Sequence, residues 1–360
     1  MDTELNTEPR NTVDLIGHET AERLILDAVA GGRMHHAWLI SGPRGVGKAT
    51  LAYRFARHVL ANPPGSGAGE VDLFGDPVTP SLQLDPDHPV FHRVAAGSHA
   101  DLLTVSVGVM QDGRPRSEIV VDDVRAVAEF FSKTSAEGGW RVAIIDGADL
   151  MNRNAANALL KVLEEPPARS LLLLVAHAPG RVLPTILSRC RRLALRPLDD
   201  ALVDAFIAAR HGDASAEDRQ IAVALAEGSP GRAAELIEKD GVELYRQILA
   251  LMSRLPRLDH AGLNALADEI AGRGGEEAFR QFTMLFGGLL TRAARAAGGA
   301  PHMALPMEAE ILARLGRMAS LDRWFEVWEK SSGLLQRADD LDRRQVAIGV
   351  FNDLAALTRG

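Results

Sequence analysis

The chain has 360 residues, 46% hydrophobic and 24% charged, which suits two or three domains of ordinary globular composition. Its one cysteine, Cys190, excludes an internal disulfide and a thiolate zinc cluster; with no apolar leader in Met1 to Arg10 and no run of ~18 apolar residues, a cytoplasmic protein without membrane spans is expected. Five lysines leave 35 arginines among the 40 basic residues, yet the net charge is -8, so a protein that coats nucleic acid by charge alone is excluded and any DNA contact must be local or shared.

Up to about residue 200, short apolar runs alternate with amphipathic stretches, the βαβα pattern of a mostly parallel sheet covered by helices. Strands are predicted at Ala37 to Ile40, Leu102 to Val105, Val142 to Ile145, Leu171 to Val175 and Leu193 to Leu195. Residues 62–99 open on a Pro/Gly-rich stretch, Asn62-Pro63-Pro64-Gly65-Ser66-Gly67, and show little periodicity, so they read as an insertion or long loop. From Asp199 the strand signal disappears. Ser215 and Asp218 form a capping pair for a helix that Gly228 closes, and Ser229-Pro230 starts another that ends near Gly241. Longer helices follow at Val242 to Leu255, Glu276 to Ala297, Leu321 to Ala338 and Leu341 to Leu357. The expected domains are therefore an α/β unit at 1–198, a small helical unit at 199–241 and an all-α unit at 242–360.

The first strand runs into Ser41-Gly42-Pro43-Arg44-Gly45-Val46-Gly47-Lys48-Ala49-Thr50 and then an amphipathic helix. Strand, glycine loop and helix in this order make a P-loop: small residues let backbone N–H groups wrap a phosphate, the helix dipole favours the anion, and the lysine reaches the terminal phosphates. A Gly-x4-Gly-Lys string arises by chance about 0.04 times in this composition. Gly42, Arg44, Gly45, Gly47, Lys48, Ala49 and Thr50 are thus candidate nucleotide-binding residues. The residue after the lysine departs from the pattern, because Ala49 has no hydroxyl for Mg²⁺ and Thr50 stands one place late. Asp146 closes the third strand, at the carboxyl edge where ligands of parallel sheets collect, and is the candidate Mg²⁺-associated carboxylate. The next residue is Gly147, where a hydrolysing enzyme would carry a glutamate to polarise water. ATP binding is expected, with Mg²⁺ only alongside the nucleotide, and intrinsic hydrolysis is doubtful.

Asn154-Ala155-Ala156-Asn157-Ala158-Leu159-Leu160-Lys161-Val162-Leu163-Glu164-Glu165-Pro166-Pro167 resembles the Asn-Ala-Leu-Leu-Lys-x-Leu-Glu-Glu-Pro-Pro signature of bacterial clamp-loader AAA+ subunits, and Leu187-Ser188-Arg189-Cys190-Arg191 is similar to their Ser-Arg-Cys motif. The resemblance implies that Arg189 is an arginine finger, catalytic in trans in the ATP site of a neighbouring subunit. A guanidinium is a permanent cation with a planar donor fork, suited to charge developing on a transferred γ-phosphoryl. It lies in a basic island, Arg181, Arg189, Arg191, Arg192 and Arg196, with no acid from 181 to 196. Gly228-Ser229-Pro230-Gly231-Arg232-Ala233 resembles the family's sensor-2 segment, which implies that Arg232 faces nucleotide; Leu15-Ile16-Gly17-His18 and Arg33-Met34-His35-His36-Ala37 resemble its N-terminal features. The fold implied is an AAA+ P-loop domain, a helical lid at 199–241 and a helical collar at 242–360, with Trp324, Phe325 and Trp328 near its end.

Within that family, members of the delta-prime type keep Ser-Arg-Cys while their own nucleotide chemistry has decayed, which matches the combination here. The resemblance then implies work in the polymerase III holoenzyme beside gamma/tau and delta subunits, loading a sliding clamp on primed DNA. Many relatives hold zinc through four cysteines in the segment corresponding to 62–99. This chain has none there, and His88, His92 and His99 lack supporting ligands, so no zinc is expected. Rival readings are a gamma/tau-like motor subunit in which Thr50 and Asp149 replace the displaced groups, a small-molecule P-loop kinase, and a scaffold that neither binds nucleotide nor lends an arginine.

Overall fold

A computed structural model describes residues 8–32, 34–63, 81–108, 116–272, 275–299, 305–336 and 342–359. Contacts divide the chain into one unit of residues 1–202 with 228–231 and a second of 203–227 with 232–360. The first unit therefore runs to residue 202, and residues 203–227 group with the chain from Arg232 onward.

The first unit is built on five parallel strands: β1 (Ala37–Ser41), β2 (Leu102–Val105), β3 (Arg141–Asp146), β4 (Ser170–Ala176) and β5 (Arg191–Ala194), in the order β2-β3-β4-β1-β5. Strand alternation sorts the side chains to two faces. Trp38, Ile40, Val142, Ile144, Leu171 and Leu173 pack with Ile25 of α1 (Glu19–Ala30) and with Leu51, Phe55 and Val59 of α2 (Lys48–Ala61). Leu39, Ala143, Ile145, Leu172 and Leu174 face the other way, onto Val124 and Val127 of α4 (Val121–Ser132), Leu159 and Leu163 of α5 (Arg153–Glu164), and Ile186 of α6 (Pro184–Leu187).

The stretch expected to be a loop contains α3 (Pro89–Ala95). His88 caps it by accepting the Val90 N–H at 3.1 Å, Pro89 fits the first turn, and Val90, Phe91 and Val94 are buried. Seven residues are too short to display a helical period in sequence. Pro64, Gly65, Ser66 and Gly67, like Arg33 of the N-terminal run, lie outside the described residues. The fifth strand begins two residues before the expected Leu193, its backbone pairing with β1 overriding two exposed-leaning arginines.

Gly42 has φ +150, and a Cβ there would lie 2.5 Å from the Leu195 carbonyl oxygen, which follows β5. Gly42→Ala is expected to destabilise the first unit by about 1–3 kcal/mol, through strain and that clash. Denaturant unfolding of the purified chain measures it.

The second unit is helical: α7 (Asp200–Arg210, most of it), α8 (Ala216–Ala226), α9 (Pro230–Glu238, from Arg232), α10 (Gly241–Ser253), α11 (His260–Ala271), α12 (Gly275–Ala297), α13 (Pro306–Gly316), α14 (Leu321–Gln336) and α15 (Arg343–Thr358). Ser215 caps α8 by accepting the Asp218 N–H at 3.0 Å, as its spacing from Asp218 predicts. Tyr245, Phe282, Phe286, Trp324 and Phe351 fill one continuous core, with Phe286 and Phe351 rings 5.1 Å apart. Phe325 projects outward and stacks on Trp328 at 5.7 Å. Among the described residues no helix is long and apolar enough to cross a membrane.

Candidate functional site

The order of the sheet brings the carboxyl ends of β1, β4 and β3 side by side. Ser41 pairs with Ala176 and Val175 with Asp146, so the P-loop, the residue after β4 and the acid ending β3 adjoin. Gly42, Gly45 and Gly47 all have positive φ, and α2 starts at Lys48, so the loop turns back upon a helix N-terminus. A Cβ on Gly47 would lie 2.7 Å from Leu15. Val46 is buried, and its carbonyl lies 2.7 Å from His18 Nε2. The carbonyls of Arg44 and Gly45 are tied by the Ser229 hydroxyl at 2.7 Å and the Gly231 N–H at 2.9 Å. The segment that resembles sensor 2 thereby braces the loop from residues 228–231.

Lys48 is buried and donates to the Pro43 carbonyl. Burial pulls its ammonium down to about 8, against the attraction of Asp146 and Asp149. Asp146 is pushed upward by burial, with Lys48 and Arg44 opposing. These are groups a polyphosphate would join, and the glycine conformations, the buried cation and the helix N-terminus fit one. The Mg²⁺ set fits less well. Ala49 offers no oxygen, and Thr50 is turned about 100° further round α2.

Asp149 is already engaged. Its two carboxylate oxygens accept the backbone N–H groups of His177, at 3.0 Å, and Ala178, at 2.9 Å, tying the turn after β3 to the end of β4. A carboxylate holding two structural donors is poorly placed to replace the water-polarising group absent at Gly147. Sequence reasoning missed His177. It directly follows the all-buried β4, and burial with the nearby Lys48 and Arg44 charges lowers its imidazole to about 4. The signal was its place at the carboxyl end of the most apolar strand.

Arg189 lies just beyond α6, and its side chain is 37% exposed. Its Nη1 donates to the Thr185 carbonyl at 3.0 Å, and its Nη2 is 2.9 Å from Glu164 Oε1. The two signature segments therefore meet. Within the first of them Leu159, Val162 and Leu163 are buried in the core, while Glu164 is exposed where α5 ends before Pro166 and Pro167. Arg181, Arg192 and Arg196 are exposed, and Arg191 covers Trp38, its guanidinium carbon 4.6 Å from the ring centroid. Cys190 is half-buried among the apolar side chains, and burial pushes its thiol up to about 12, which favours the neutral form.

Arg232 belongs to the second unit, where it donates to the Leu225 carbonyl at 3.2 Å and lies 3.7 Å from Glu227. His88 caps α3, and His99 Nδ1 accepts the Asp101 N–H at 3.2 Å. Among the described residues no cluster of histidine, cysteine and carboxylate could hold a metal ion.

Residues 17–199 match the model of the family described as DNA polymerase III, delta subunit. The chain is 38% identical over 230 residues to the DNA polymerase III subunit delta' of Pseudomonas aeruginosa, covering 62% of this chain and 63% of that one. It thus spans less than two thirds of that relative's length. With the subunit tau of Salmonella typhimurium it shares 31% identity over 191 residues, 53% of this chain and 26% of that one. A gamma subunit-related protein of Thermotoga maritima superposes with a TM-score of 0.43 at 14% identity, covering 95% of this chain and 99% of that one.

Proposed function

Because this chain belongs to the DNA polymerase III delta-subunit family of clamp-loader AAA+ proteins, we propose that it serves as a delta-prime subunit, completing a neighbour's ATP site instead of turning over ATP itself. Its partners are gamma/tau and delta subunits within the cytoplasmic polymerase III holoenzyme, and together they place a sliding clamp on primed DNA. The observation that carries this reading is the contrast between two ends of one sheet. The P-loop keeps its glycines and Lys48 but lacks the hydroxyl at Ala49 and the acid at Gly147, whereas Arg189 stands exposed on a basic rim. In the assembled ring Arg189 donates to the γ-phosphoryl oxygens of the neighbour's ATP as charge builds there, and the basic island around it favours that anionic partner.

Asp149, held by two backbone N–H groups, weighs against the motor reading, as does the turn of Thr50 away from the Ala49 position. Phosphate held in the chain's own P-loop has a structural role: Lys48 neutralises it while Ser229 and Gly231 keep the loop braced.

The purified chain is expected to bind labelled ATP, with Lys48→Ala weakening binding at least tenfold, and to show no turnover with primed DNA. The free lysine titrates near 8 and a bound phosphate favours its charged form. Affinity is therefore level below about pH 7.5 and falls as pH rises above 8, by up to tenfold per pH unit. Equilibrium binding from pH 6.5 to 9.5 reads both. Turnover that Lys48→Ala abolishes would establish the motor reading instead.

A further inference from the structure

Glu164 sits at the last position of α5, followed by Glu165, Pro166 and Pro167. Two acids at a helix C-terminus oppose the helix dipole, which favours cations there. The proline pair forbids another turn and so fixes where Glu164 stands. Its carboxylate meets Arg189 at 2.9 Å, from an element 25 residues earlier in the chain. Arg189 is held a second time by the Thr185 carbonyl, 3.0 Å from Nη1. Thus both terminal nitrogens of the guanidinium have a fixed partner within the same unit. An exposed arginine without such partners samples many rotamers, and ordering it when a neighbour docks costs side-chain entropy.

We infer that Glu164 is a positioning residue for Arg189, holding the guanidinium in one place at the rim so that a neighbour's triphosphate meets a cation already ordered. The inference rests on the proposed role of Arg189 in trans. The Glu164 side chain is 51% exposed, so the pair is weak enough to yield a donor to a more highly charged phosphate. Its contribution is geometric, and it belongs to the turnover step more than to ATP affinity.

The test is steady-state ATP hydrolysis by the reconstituted loader with primed DNA, comparing Glu164→Ala, Glu164→Gln, Arg189→Ala and the double variant. Glu164→Ala is expected to lower kcat about fivefold, the scale of one exposed ion pair, with KM unchanged. Glu164→Gln, which keeps a hydrogen-bond acceptor, should recover at least half of the loss. With Arg189 absent, removing Glu164 should change nothing further. Gel filtration confirms that each variant assembles. A full kcat for Glu164→Ala beside a low one for Arg189→Ala overturns the inference alone, as does a double variant slower than Arg189→Ala. Full activity of Arg189→Ala overturns the functional reading beneath it.

Discussion

Arg189→Ala is expected to lower ATP turnover at the adjoining site by about 10³-fold or more, the range that a donated arginine contributes in other phosphoryl-transfer systems. The subunit itself should fold normally, because the side chain is part-exposed and its ion pair with Glu164 is between exposed groups. Arg189→Lys should rescue little. A lysine keeps the charge but loses the planar fork, and it cannot hold the Thr185 carbonyl and Glu164 while presenting further donors to a phosphate. Single-turnover measurements in the assembled loader separate this loss from any change in ATP binding. If turnover fell only because the complex failed to assemble, gel filtration would reveal it.

The second large effect lies in the helical unit. Glu308 is 1% exposed and accepts from Arg292 Nε at 2.9 Å, from Arg292 Nη2 at 3.2 Å and from the Leu305 N–H at 3.2 Å, and the fully buried Tyr245 hydroxyl donates to it as well. Three helices, α10, α12 and α13, meet at this one carboxylate. Glu308→Ala would leave Arg292 without its counter-charge and the Tyr245 O–H without an acceptor, at an expected cost of about 3–5 kcal/mol. Replacing both charges, Arg292→Met with Glu308→Leu, should recover the part of that cost that comes from the unpaired guanidinium, since a buried pair is costly chiefly when half is removed, while the Tyr245 hydroxyl stays without a partner. Urea unfolding followed by tyrosine and tryptophan fluorescence distinguishes the two outcomes. Equal losses in the single and double variants would mean that the volume of the side chains, not the charge pairing, holds these helices.

Much of this fold is legible in the sequence because its signals are local and strong. β4 is an unbroken apolar run from Leu171 to Ala176 and is buried along its whole length, Ser170 included, and the Gly-rich loop turns where glycine alone tolerates the backbone. Ser215 and Asp218 announce α8 through a hydrogen bond that spans three residues. What escaped detection depends on contacts distant in sequence. Nothing near Asp149 tells that its carboxylate will hold the N–H groups of His177 and Ala178, yet that bond decides whether it is free for chemistry. The same is true of Glu164, which reads as a helix-ending acid until the fold sets Arg189 beside it. α11 and α13 lie within the stretch read as helical but are not placed individually by it, since one carries a glycine in its first turn and the other follows a segment with weak periodicity.

We propose that the chain's contribution to ATP hydrolysis resides in Arg189 and not in its own P-loop. The most direct measurement is ATP turnover by one reconstituted loader in which only this subunit carries either Lys48→Ala or Arg189→Ala. The expected result is near-normal turnover with Lys48→Ala and a loss of about 10³-fold at the adjoining site with Arg189→Ala. Loss with Lys48→Ala and full turnover with Arg189→Ala would contradict it.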